Sequence, residues 1–99
     1  MIVDVRSAAI TAKNYFQSLT DLVDEYQNLR LEEVELSEDK NYWLITLGFD
    51  THNKQYIHPA LKKLNIDDMT IYPNYQRQYK IFKINTETGE VESMKIREI

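Results

Sequence analysis

The side chains best suited to chemistry are two histidines, His52 and His58, with Asp50, Asp67 and Asp68 near them in the chain. Imidazole and carboxylate groups are common ligands of zinc, nickel and manganese, so a metal would be sought here. The histidines are six positions apart. That spacing matches neither a pair on one helix face nor an alternating strand pair held by a turn. Surface or capping histidines are therefore expected, and no metal or other cofactor. Cysteine is absent, which excludes disulfides, thiolate nucleophiles and Cys-type zinc sites. A serine nucleophile would need one of the same two histidines as its base. No phosphate-binding glycine loop and no catalytic signature is present.

The stretch LEEVE carries Glu32, Glu33 and Glu35. Paired carboxylates do acid–base work when burial raises the pKa of one of them. Strand alternation puts Glu33 and Glu35 on a solvated side. It puts Glu32 on the core side near the strand's end, emerging at the rim or paired with Arg30 or Arg6. A structural role is expected for all three. Seven tyrosines are present, and Tyr42, Tyr72, Tyr75 and Tyr79 could stack on nucleic-acid bases. Charge opposes that reading. The chain is −4 overall, with −6 on residues 1–50 and +2 on residues 51–99, whereas nucleic-acid binding rests on a basic footprint. Tyrosine also serves protein interfaces, the use expected here.

These residues need a scaffold, and 99 residues make one domain, 1–99. A hydrophobic share of 42% argues for a folded core. No basic leader followed by an apolar run is visible, and no stretch approaches the ~20 residues of a membrane span. A soluble, cytoplasmic protein without membrane contact is the expectation.

The segment DVRSAAITAKNYFQSL is predicted to be an amphipathic helix. Val5, Ala8, Ala9, Ala12, Phe16 and Leu19 share one face, and Asp4 is the N-cap. TDLVDEYQN extends this helix or forms a second short one, attached by Leu22, Val23 and Tyr26. LEEVELSEDKNYWLITLGFD reads as a β-hairpin with its turn at Glu38–Asn41. Leu36 then faces Trp43, Val34 faces Ile45 and Glu32 faces Leu47. Val34, Leu36, Trp43, Ile45, Leu47 and Phe49 form the core side.

The closing stretch YKIFKINTETGEVESMKIREI reads as a second hairpin, with Gly89 supplying positive φ. Pairing Ile84 with Val91 pairs Ile81 with Met94 and Tyr79 with Ile96. Lys83 and Glu92 become a cross-strand ion pair. Tyr79, Ile81, Lys83, Glu92, Met94 and Ile96 share one face, and Gln78, Lys80, Phe82, Ile84, Val91, Ser93, Lys95 and Arg97 share the other, taken as the outer face. Lys80, Lys95 and Arg97 form a small basic cluster there, offset by Glu33 and Glu35. Residues 51–74 form an insertion that fits neither hairpin, with a short helix from Pro59. The fold class is α+β: one N-terminal helix on a four-stranded antiparallel sheet of two hairpins, with a long insertion between them.

Helix, hairpin, insertion and hairpin, with YWLITLGF and YKIFKINTETGEV, resemble the PepSY-like domains. The matching residues are Trp43, Tyr79, Asn85, Thr88, Gly89 and Val91, and the likeness covers most of the chain except 51–74. It implies a cystatin-like fold, one helix wrapped by a curled antiparallel sheet. That family is associated with inhibiting or chaperoning secreted peptidases.

The residues themselves point to a small noncatalytic domain that works through protein contacts, by self-association as a homodimer or with another protein. The expected surface comprises Tyr56, Ile57, Leu61, Leu64, Met69, Ile71 and Tyr72 of the insertion, and the next candidate is Lys80, Lys95 and Arg97 at the basic end of the last hairpin. The alternative is a small-molecule-binding or enzymatic domain with its pocket between helix and sheet. A polar cluster around Glu32 inside a concave cavity would mark that case.

Overall fold

A computed structural model describes residues 2–22, 25–53 and 74–97. Helix α1 (Val5–Ser18) is followed by a 3-10 turn (Thr20–Leu22) and strands β1 (Tyr26–Leu36), β2 (Tyr42–Asn53), β3 (Asn74–Asn85) and β4 (Val91–Ile96). The strands form one antiparallel sheet in the order β1-β2-β3-β4. One helix against a four-stranded antiparallel sheet is the expected α+β class.

Asp4 caps α1, its carboxylate accepting from the Ser7 amide at 2.8 Å. That bond satisfies one of the free first-turn donors and holds the Asp4 carboxyl below its ordinary pKa. Ala8, Ala12 and Phe16 are fully buried at the helix–sheet contact. The two small alanines bring the α1 backbone close to the sheet. Phe16 then reaches between Tyr26 and Phe49, with ring centroids 4.9 and 4.7 Å away. Ile45, Leu47, Phe49, Phe82 and Ile84 complete the core. Val5, expected on the buried face, is exposed. The segment after α1 does not prolong it but forms the short 3-10 turn Thr20–Leu22; Tyr26 to Asn28 already belong to β1, and Leu22, expected to attach the segment, is 78% exposed.

The first turn is built by Ser37 and Asp39. The Ser37 hydroxyl donates to Asp39 Oδ1 at 2.6 Å, and the same oxygen accepts from the Asn41 amide. This sets Leu36 opposite Trp43 and Val34 opposite Ile45, as expected. Beyond Glu33 the register shifts, so that Leu31, and not Glu32, stands opposite Leu47. Glu32 is the extra residue of a β-bulge, which turns it away from the core side.

At the second turn, Asn85 Oδ1 accepts from the amides of Glu87 and Thr88, and Gly89 takes φ +75°. Ile84 faces Val91, again as expected. A shift between Lys83 and Ile84 then changes the rest: Phe82 faces Met94, Ile81 faces Lys95 and Lys80 faces Ile96. The expected pairs Ile81–Met94 and Tyr79–Ile96 are thus corrected. Phe82 and Ile84, expected on the outer face with the lysines, instead lie on the helix side and are fully buried. The cross-strand pair Lys83–Glu92 is corrected too. Lys83 faces Ser93 and holds its ammonium 4.1 Å from the Tyr42 ring centre, while Glu92 accepts from the Asn85 amide.

The insertion is shorter than 51–74. β2 continues through Asn53 and β3 starts at Asn74, with Thr51 opposite Gln76 and Asn53 opposite Asn74. Among the described residues, no helix is long and apolar enough to cross a membrane.

Candidate interaction face

Helix α1 is narrower than the sheet beneath it. It packs on β2 and, less extensively, on β3 and β4. On β1 the helix-side row is largely bare: Leu31 is 52% exposed and Val34 36%. Leu31 faces buried Leu47, and Val34 faces buried Ile45, so both lie on the side of the core. A groove of about 450 Å³ runs between α1 and β1. Ala9, Ile10 and Lys13 line its helix wall, and Leu29 and Leu31 its strand wall, over a floor that includes Leu47. Ile10 is 49% exposed. Apolar side chains gathered in one exposed place cost solvation free energy unless something covers them.

The other side of the sheet is polar and tied across strands. Arg77 of β3 is its hub. Its guanidinium donates to the Asn28 carbonyl at 2.9 Å and to Asp50 Oδ1 at 3.2 Å, and it forms an ion pair with Glu32. The backbone of β1 is shaped for this contact. A register shift lies between Gln27 and Arg30, and within it Asn28 takes φ +57°. That is the left-handed region, which asparagine tolerates better than most side chains. The Asn28 amide donates to Asp50 Oδ2 at 2.9 Å. This bond, followed by Arg77, holds the Asp50 carboxyl below its ordinary pKa. A general acid at neutral pH needs the opposite shift.

A second arginine makes a parallel tie. Arg97, just past β4, pairs with Glu33 of β1 and donates to the Thr46 hydroxyl of β2 at 3.1 Å. Its backbone amide donates to the Tyr79 carbonyl. Glu32 and Glu33, neighbours in sequence, are thereby paired with arginines from β3 and from just past β4.

The expected site residues divide sharply. Tyr56, Ile57, Leu61, Leu64, Met69, Ile71 and Tyr72 lie outside the described residues, as does His58. The basic cluster does not form as expected. Lys80 faces Leu47 and Ile96 on the helix side, whereas Lys95 faces Ile81 on the opposite side, where Arg97 is engaged with Glu33. The bulge in β4 causes this, because one extra residue exchanges the faces of all that follow it. Among the described residues no three histidine or acidic groups are gathered as a metal ion would require. Sequence reasoning missed Arg77. Its signal was Gly48 inside an otherwise apolar strand, a residue that often marks close approach of other groups. Comparison with protein-family models, curated proteins and solved structures returned no match.

Proposed function

We propose that this chain is a noncatalytic protein-interaction domain of the PepSY-like, cystatin-like kind, and that it binds through the groove between α1 and β1. The proposal includes the cytoplasmic setting expected from the sequence. The observation that carries it is the exposure of Ile10 on the helix wall and Leu31 on the strand wall of one groove, beside a buried core. The competing small-molecule reading has the groove volume in its favour, since about 450 Å³ lies within the range of ligand pockets. Against it stands the position of the polar cluster. Glu32, Asp50 and Arg77 lie across the sheet from the groove, and the charged residues that do line it, Lys13 and Arg30, are both cations, so no acid–base pair converges there.

The test uses Ile10→Asp and Lys13→Glu on the helix wall, with Lys95→Glu on the far side as control. The wild-type chain and the control are expected to retain a protein partner, either another copy or a protein from a native extract. The groove variants lose it with unchanged circular dichroism. Equal retention by all four proteins overturns the reading.

A further inference from the structure

Strand β1 is complementary to itself read backwards. Leu29 to Leu36 runs Leu-Arg-Leu-Glu-Glu-Val-Glu-Leu. Folded about the Glu32–Glu33 bond, it sets Leu29 against Leu36, Arg30 against Glu35, and Leu31 against Val34. In a regular strand this pairing fails. Antiparallel partners must share a face, and residues an odd number of positions apart point to opposite faces.

The bulge at Glu32 removes the conflict. Leu31 faces Leu47 and Val34 faces Ile45, so both are on the helix side. Arg30 faces Gly48 and Glu35 faces Leu44, so both are on the other side. The extra residue that spoils simple alternation also makes the backward reading consistent in its faces.

β1 is available for such pairing. It is an edge of the sheet, and among the described residues it pairs only with β2. Acidic side chains and bulges commonly protect an edge from joining another strand. Here the two acids nearest the centre of the pattern are already neutralised, Glu32 by Arg77 and Glu33 by Arg97. That leaves Arg30 and Glu35, opposite in sign, to meet across the joint.

We propose that two copies of the chain pair antiparallel through β1, about a two-fold axis between Glu32 and Glu33. The contact is isologous, so each of its interactions occurs twice. Arg30 meets Glu35 of the partner subunit, and Leu31 meets Val34 of the partner subunit. The axis stands normal to the sheet. Eight strands then run continuously, both helices lie on one side, and the two grooves join along the shared β1 rows. This inference rests on the interaction reading above and names a second copy as the partner.

Sedimentation velocity across micromolar to millimolar concentrations tests it, with Arg30→Glu and Glu35→Arg as variants. Each substitution sets like charges opposite one another twice per dimer. Each variant alone is expected to associate about tenfold more weakly than wild type, or less. Mixed in equal amounts, the two variants restore opposite charges at both positions and associate as wild type does. A wild-type chain that stays monomeric at millimolar concentration overturns the self-pairing. So does a mixture that associates no better than its parts. Either result leaves the groove reading to be judged by Ile10→Asp, which does not touch the β1 edge.

Discussion

Gly48 lies directly beneath Glu32. A methyl group at Gly48 would stand 2.8 Å from Glu32 Cγ, closer than side-chain carbons approach, and a tight 3.0 Å from Arg77 Nη2. The ion pair that joins β1 to β3 therefore passes over the one residue of β2 that has no side chain. Gly48→Ala is expected to push Glu32 aside and break the pair. Replacing glycine in a strand gains roughly 0.5–1 kcal/mol of backbone entropy, and a partly exposed ion pair such as this one is worth about 0.2–1 kcal/mol, so the net change should be small. The coupling is the informative quantity. Glu32→Gln should lower the urea midpoint in the wild-type background and leave it unchanged beside Gly48→Ala. Equal effects in both backgrounds would mean that the pair does not depend on Gly48.

Asp50 predicts a pH dependence. Its carboxyl is held below the ordinary value of 3.8, first by the Asn28 amide and then by Arg77. The folded chain therefore binds this proton less readily than the unfolded chain. The resulting stability is complete above the ordinary value and is lost as the pH falls through the lower folded value. Wild type should exceed Asp50→Asn in urea midpoint at neutral pH, and the gap should close in acid. A gap that stays constant through the carboxylate range would remove Asp50 from the account.

How much could be read from sequence depends on distance from the turns. Ser37, Asp39, Asn85 and Gly89 have recognisable turn chemistry, and the pairs nearest them, Leu36–Trp43 and Ile84–Val91, were legible. Further along, each hairpin contains a bulge, and alternation carries no mark of one extra residue. Glu32 and Glu33 show why: identical neighbours give no clue to which of them is inserted. The polar ties lay beyond local reading for another reason. Arg77 and Glu32 are 45 positions apart, and Arg97 and Glu33 are 64 apart. Only the strand order β1-β2-β3-β4, with its bulges, brings them together.

Trp43 is only half buried, and its role is partly polar. Its indole N–H donates to the Val3 carbonyl at 2.9 Å, while the amides of Ile2 and Val3 donate to the Thr86 carbonyl. The chain before α1 is thus tied to both turns, since the Thr86 amide in turn donates to the Asn41 carbonyl. Trp43→Phe keeps a ring and removes the donor, at an expected cost of about 1 kcal/mol. Amide exchange at Ile2 and Val3 should quicken more than exchange at Ile45. If protection falls equally throughout the sheet, the ring's packing matters and the hydrogen bond does not.

Burial and exposure make opposite predictions for two apolar residues on the same side of the sheet. Phe16 is fully buried against Tyr26 and Phe49, so Phe16→Ala opens a cavity and should cost about 3–5 kcal/mol. Leu31 is 52% exposed, and Leu31→Ala returns little apolar surface to water. In dilute solution it should cost under about 1 kcal/mol, a fraction of full leucine burial. Urea unfolding at low concentration measures both values. At high concentration the second value should grow, because a partner that covers Leu31 adds its binding free energy to the folded state. A Leu31→Ala effect that is large in dilute solution would place this side chain in the core of the single chain. A small effect that does not change with concentration would leave Leu31 outside any interface between copies.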